Sequence, residues 1–320
     1  VLTYISRRAL LAIPLLIGIT LISFFAIRAT GDPLAVFNRN PMLSPEQRQA
    51  IMHHYGLDKP MVVQYFVWLG NILRGDWGTS FVTEQPVTTV IAQRLPNTLI
   101  LMGSSFLLTL ILALPLGVYA ALHRYSFLDN LVTFLTFLAY AMPTFWLGLV
   151  CLMIFSVWLK THGLPYFPPG GMYEPTQPQS LPALLWHLFL PMVVLAITGV
   201  ARYSRYLRAS MIEVLRQDYV RTARAKGVPR GTLLRRHVFK NAAIPVATLI
   251  MLDVPLLFGG ALITERVFAW PGVGMLFVDS ANRTDYPILL GLILITSTLV
   301  ILFNVLSDIV YAWLDPRIAY

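Results

Sequence analysis

Charge is scarce in this sequence: 12% of its 320 residues are Asp, Glu, Lys or Arg, against 57% that are hydrophobic. A soluble globular chain carries about 25% charged residues, so too few charges remain here to cover a water-facing surface. With a mean hydropathy of +0.67, the bulk of the chain has lipid as its solvent. Cysteine is almost missing as well. Cys151 stands alone in an apolar run, which excludes an internal disulfide and reads as a packed or lipid-buried thiol. The signatures of catalysis are also absent. There is no G-x-x-x-x-G-K-[ST] phosphate loop, no H-E-x-x-H or Cys/His cluster for a metal, and no G-x-S-x-G elbow. His53 and His54 are adjacent, so their side chains do not share a helix face, and they read as a solvated pair. Ser104, Ser105 and Ser156 lie in apolar runs, where small polar residues serve helix packing. A membrane enzyme has no nucleophile or metal constellation to build on.

What is present is a set of long apolar runs. A bilayer-spanning helix needs about 20 mostly apolar residues, and six segments qualify: 9–27, 98–122, 131–159, 181–201, 242–264 and 287–307. The first is followed by Ile27-Arg28-Ala29 rather than by a small-residue cleavage site, so it reads as a retained span and not a signal peptide. The predicted fold class is all-α, a polytopic membrane protein with six transmembrane helices. The organisation is an N-terminus with its first span (1–29), an extracytoplasmic segment with short helices (30–97) and a five-helix core (98–320). Six crossings put both termini on one side. With the termini cytoplasmic, the inside segments hold 15 Lys and Arg in 69 residues and the outside segments 9 in 113. The denser side is inside, as the positive-inside bias requires.

The loops differ in character. Ser44-Pro45-Glu46-Gln47 is a capping box with proline at the first helical position, and it predicts a short helix to about Tyr55. A second amphipathic stretch covers Val63–Leu73, and Trp68 and Trp77 suit a lipid interface. Two readings stand for this region: an interfacial helix pair, or a docking platform for an external partner. Inside the spans the ionisable group that stands out is Asp253, midway along the fifth. A carboxylate there must face a cavity or a partner helix, so it is either a structural or gating hydrogen bond or a lining of the translocation path.

The basic residues are concentrated in one place. Residues 202–241 hold eleven Lys or Arg and two acids, a net +9, so the other 280 residues sum to zero. Arg205–Lys226 has helical composition with Met211, Leu215, Tyr219 and Val220 as an apolar stripe. Gly227-Val228-Pro229 breaks it, and a second short helix over Arg230–Asn241 leads into the fifth span. A topology signal needs only a few basic residues. A structured forty-residue loop with a sharp break is suited to docking a partner.

The run Asp218-Tyr219-Val220-Arg221-Thr222-Ala223-Arg224-Ala225-Lys226-Gly227 resembles the coupling loop of ABC importer permeases, specifically the B-type subunit of the dipeptide/oligopeptide/nickel family. Arg236-His237-Val238-Phe239-Lys240-Asn241-Ala242-Ala243-Ile244-Pro245 continues the likeness. So do Gly31-Asp32-Pro33, Tyr55-Gly56-Leu57-Asp58-Lys59-Pro60, Gly75-Asp76-Trp77-Gly78, Trp270-Pro271-Gly272-Val273-Gly274, Asp285-Tyr286-Pro287 and Asp315-Pro316-Arg317. The general importer motif opens Glu-Ala-Ala where this chain has Arg221-Thr222-Ala223, and its Ile-x-Leu-Pro falls on His237-Val238-Phe239-Lys240; the peptide-type branch resembles this chain in both departures.

The resemblance implies the type I importer fold in a bacterial or archaeal plasma membrane. It implies a second homologous permease, two cytoplasmic ATPases that bind ATP and Mg, and an extracytoplasmic binding protein. No cofactor is expected in this chain, and no nucleic acid partner. Tyr219, Val220, Arg221, Ala223, Arg224, Lys226, Gly227 and Arg230 would carry ATPase coupling, with the cations on ATPase acids and Val220 and Ala223 packing into its groove. Asp253 would line the path; Trp77, Trp270 and Asp285 would lie under the binding protein. Two further classes compete with this reading. An ATPase-independent secondary transporter or channel calls for inverted repeats or more midplane charge, which this chain lacks. A nucleic-acid role for the basic loop lacks a binding module.

Overall fold

The computed structural model describes residues 2–29, 58–174 and 178–314, with isolated positions between 44 and 56. Most of the helix predicted after Ser44, and the Gly31-Asp32-Pro33 and Asp315-Pro316-Arg317 motifs, lie outside the described residues. The helices are α1 (Leu2–Ala29), α2 (Met61–Leu73), α3 (Val87–Leu122), α4 (Phe127–Ala141), α5 (Thr144–Thr161), α6 (Leu181–Val214), α7 (Asp218–Ala225), α8 (Arg230–Phe258), α9 (Leu262–Val267), α10 (Val273–Arg283) and α11 (Tyr286–Leu314). Six are long and apolar enough to cross a membrane: Leu10–Ala29 of α1, then α3, α5, α6, α8 and Tyr286–Ile309 of α11.

Several boundaries differ from the sequence reading. The predicted third span breaks in two, because Pro143 forces Met142 to extended backbone (φ −84°, ψ 131°). The remaining 15-residue α4 is about 22 Å long, too short to cross. The fourth span does not end at Ala201: α6 continues to Val214 and carries Arg202, Arg205 and Arg208. The predicted helix Arg205–Lys226 is therefore two helices, separated by a turn at 215–217. The short helix after Pro229 is continuous with the fifth span in α8. That helix tightens to a 3-10 turn over Val254–Phe258, so Thr264 belongs to α9 instead. The boundary read at 97/98 falls inside α3.

The chain forms two compact units. The first comprises Val1–Thr98, Phe258–Leu262 and Pro271–Tyr320. In it α1 packs along α11, with Arg8 and Asp308 paired at 2.7 Å. α2 is pinned to α1 by aromatics: Phe24 and Tyr65 meet edge to face at 5.5 Å, and the Tyr65 hydroxyl lies 3.1 Å from Thr20 Oγ1. Arg28 donates to Gln64 at 2.6 Å, and Gln64 donates onward to Lys59 O at 2.7 Å. A second core joins Val87 and Ile91 of α3 to Val273, Ile288 and Leu292.

The second unit comprises Leu99–Leu257 and Ile263–Trp270. Its largest core lies between α3, α6, α7 and α8. Tyr203, Leu207 and Met211 on α6 and Val238, Ala242 and Val246 on α8 recur every four residues, so each set forms one buried stripe. α3 and α6 approach closely at Gly199, where an added Cβ would sit 2.7 Å from Thr109 Cγ2. Thr109 Oγ1 in turn lies 3.3 Å from Ala196 O, a side-chain bond between the two helices. A Gly199→Val variant is expected to lose about 1–3 kcal/mol by overpacking this crossing. Thermal unfolding in detergent checks it; an unchanged midpoint would mean that the crossing has slack.

Candidate coupling surface and translocation cavity

The basic segment divides its charges between two tasks. Arg202, Arg205 and Arg208 are three residues apart on α6. Three steps of about 100° leave each one about 60° round from the last, so each meets a different neighbour. Arg202 pairs with Asp253 of α8. Arg205 lies over the rings of Phe137 and Tyr140 of α4, at 5.0 and 4.9 Å. Arg208 grips Asp129 with both ends of its fork, Nε to Oδ1 at 2.9 Å and Nη2 to Oδ2 at 2.8 Å.

Asp129 is almost fully enclosed and has further work. It accepts from the amide of Tyr125 at 3.0 Å, while its own amide donates to Ser126 Oγ at 3.1 Å. Ser126 thus caps α4, and Asp129 closes the turn before it. The Arg208 hydrogen bonds, aided by the Tyr125 amide and against the cost of burial, hold the Asp129 carboxyl below the usual carboxylate range. This ion pair was missed in the sequence. Its legible signal was Ser126-x-x-Asp129, a capping signature at the start of an apolar run.

The other basic residues face out. In α7, Val220 and Ala223 are buried on the unit's own core with Leu233 and Val238, while Tyr219, Arg221, Arg224 and Lys226 are exposed. This corrects the expectation that Val220 and Ala223 pack into a partner: they anchor the helix, and the cations cover its free face. Asp218 in the first turn and Arg224 in the last match the helix dipole. The helix ends in a Schellman motif. Gly227 N donates to Arg224 O at 3.0 Å and Val228 N to Ala223 O at 3.2 Å, with Gly227 at φ +76°. Nothing lies within 4 Å of a Cβ added to Gly227, so glycine serves the left-handed turn there. Arg230, Arg235, Arg236 and Lys240 continue the exposed basic surface along α8.

Asp253 lines a cavity of about 320 Å³ inside the second unit. Four helices contribute, with Ser105 and Thr109 from α3, Tyr140 from α4, Thr198 and Arg202 from α6, and Asp253 from α8. Tyr203 donates its hydroxyl to the same Asp253 oxygen that pairs with Arg202, and the Arg202 guanidinium stacks over the Tyr203 ring at 4.9 Å. Ending the fourth span at Ala201 had placed Arg202 in the loop and hidden this pair.

The residues expected under an external partner turn out differently. Trp270 is fully enclosed, packed on Leu101 and Leu188, so its indole has no free face in this structure. Asp285 is also enclosed. It accepts from Ser80 Oγ at 2.5 Å and the Phe81 amide at 3.1 Å, fastening the 79–86 loop to the start of α11. Both are corrections: these motif residues build the unit, and the carboxylate and indole are spent internally. Trp77 packs on the Val87 core and keeps part of its surface open.

A family model described as the binding-protein-dependent transport system inner membrane component matches residues 113–320, and the corresponding N-terminal model matches 1–102. The chain is 43% identical over 319 residues to the oligopeptide transport system permease protein AppB of Bacillus subtilis (strain 168), covering 99% of each chain. It is 39% identical over 334 residues to the di/tripeptide permease protein DppB of Pseudomonas aeruginosa (strain UCBPP-PA14), covering 100% of this chain and 99% of that one. Against the dipeptide permease protein DppB of Escherichia coli (strain K12) the identity is 35% over 336 residues, with the same coverage. Its fold resembles that of a chain in an inward-facing structure of the MetNI methionine ABC transporter, with TM-score 0.54 and 15% identity over 71% of this chain and 97% of that one.

Asp129→Asn is expected to destabilise the protein by about 3 kcal/mol, since Arg208 loses a buried partner. The sign of its pH dependence follows from the depressed carboxyl. The wild-type advantage is full above about pH 4, where an unfolded aspartate is ionised, and fades as pH falls through the lower native value. Unfolding of both proteins across pH 2.5–7, about the accessible range, checks this; a gap that grows towards acid would contradict it.

Proposed function

Because the chain belongs to the family of binding-protein-dependent inner-membrane transport components, we propose that it forms half of the translocation path of an ATP-driven importer of short peptides. The peptide class is supported by the relatives, which are named oligopeptide, di/tripeptide and dipeptide permeases. The second half of the path belongs to a homologous permease. Two cytoplasmic ATPases bind ATP and Mg and hydrolyse the nucleotide, this chain having no phosphate loop of its own. An extracytoplasmic binding protein delivers the solute. Both termini and the basic segment face the cytoplasm, following the positive-inside count.

The observation that carries this reading is the two-faced coupling element. α7 is fixed to the core by Val220 and Ala223, and its outer face with the following turn presents Arg221, Arg224, Lys226 and Arg230 to a partner. Such a part transmits force: a partner that holds the cations moves α6 and α8 through the buried side. Closure of the ATPase pair on ATP swings the spans towards the outward-open state, and hydrolysis resets them. Of the motif residues, Trp77 retains a surface for the binding protein.

Native mass spectrometry of the complex drawn gently from its own membranes through a tag on this chain is expected to give one homologous permease and two ATPase subunits. The chain alone, or only with copies of itself, would instead favour a transporter that works without ATPases. In the intact complex Gly227→Trp is expected to leave ATP hydrolysis running while uptake falls at least about tenfold, because a bulky side chain strains the left-handed turn beside the docked cations. Normal uptake by a well-expressed variant would sink the coupling role of that turn.

A further inference from the structure

Arg202 and Asp253 are the two charged side chains on the wall of the cavity, so its net charge is zero. Neither is sealed away: the Arg202 side chain keeps 39% and the Asp253 side chain 17% of its surface exposed. Arg202 Nε is buried without a hydrogen-bond partner, so the guanidinium has not used its full set of donors. Tyr203 touches both members of the pair, through its hydroxyl to the carboxylate and through its ring to the guanidinium. Either ion can therefore lose the other without being left bare. Ser105 and Thr198 spend their hydroxyl protons on carbonyls of their own helices, at 2.6 and 3.1 Å, and Thr109 shares its proton between Ser105 O at 2.8 Å and Ala196 O at 3.3 Å. Lone pairs remain on those oxygens to accept from a passing amide.

We infer that Arg202 and Asp253 form a charge-exchange pair on the translocation path, an inference that rests on the peptide-importer reading above. A cationic group of the peptide takes the place of Arg202 on Asp253. An anionic group takes the place of Asp253 on Arg202. When the peptide leaves, the pair closes again and the wall returns to neutrality. A single fixed charge here would attract one class of peptide and repel the other across a weakly screened space. The pair makes the path indifferent to peptide charge, leaving selection to the binding protein.

The test uses the full complex in liposomes, with its partner permease, ATPases and binding protein, and three labelled probes: trialanine and the same peptide with a central lysine or a central glutamate. The readout is the ratio of lysine-peptide to glutamate-peptide uptake, relative to wild type, so that the binding protein's own preference cancels. Asp253→Asn leaves an unpaired guanidinium and is expected to lower this ratio roughly tenfold. Arg202→Gln is expected to raise it, by less, because a carboxyl can take up a proton whereas a guanidinium cannot give one away. The double variant Arg202→Gln/Asp253→Asn is expected to return to within about twofold of the wild-type ratio, whatever its absolute rate. Each single variant tests the idea separately, so failure of one to assemble leaves the other decisive. Unchanged ratios, or shifts of the same sign in both, would overturn the exchange pair and leave a structural brace. If the wild-type complex takes up none of the three peptides, the peptide-importer reading itself falls.

Discussion

Three guanidinium groups stand on the end of a helix that is otherwise built for lipid, and the second unit is arranged around finding each a partner. Taking a charge out of water costs several kcal/mol even after relaxation, and it is tolerated only where an opposite charge or an aromatic face replaces the lost hydration. Arg208 finds Asp129, Arg205 finds Phe137 and Tyr140, and Arg202 finds Asp253. Two of the contacts tie α6 to α4 and the third ties it to α8. The helix thus becomes the member to which α4 and α8 are fastened, and the turn before α4 is closed by the same carboxylate that holds Arg208.

That fastening also decides how the basic surface is held. α7 is only eight residues long, too short to persist alone in water, and it survives because Val220 and Ala223 are enclosed against α6 and α8. Its Schellman turn at Gly227 then redirects the chain into α8 through Val228 and Pro229. The cavity lies among α3, α4, α6 and α8, and α7 packs against two of them, α6 and α8.

Much of this was legible in the sequence, and the failures have physical causes. The count of spans came from run length alone and survives in the structure, because lipid demands about 20 apolar residues whatever the neighbours do. The break at Met142-Pro143 was present as a letter but hidden by the apolar run around it. The end of the fourth span was misplaced because charge was read as the start of a loop. A helix can carry arginines past the membrane edge when other helices supply partners, and partners distant in sequence do not appear in a local pattern. Trp270 and Asp285 stood out as motif residues for the same reason that they are enclosed: an indole and a carboxylate with fixed internal partners are structural parts.

By itself the sequence determined the solvent, the number of crossings, the location of the excess positive charge and the family. These follow from composition, run length and ordered motifs, which do not depend on how the helices pack. Only the tertiary structure decided which of eleven basic residues are fasteners and which are exposed, which face of α7 looks inward, and that Asp253 pairs with Arg202 on the wall of a cavity. Those outcomes depend on the rotation of each helix about its axis. About 100° of turn per residue separates a buried position from an exposed one, and that phase is set by the close crossing at Gly199 and the ion pairs around it.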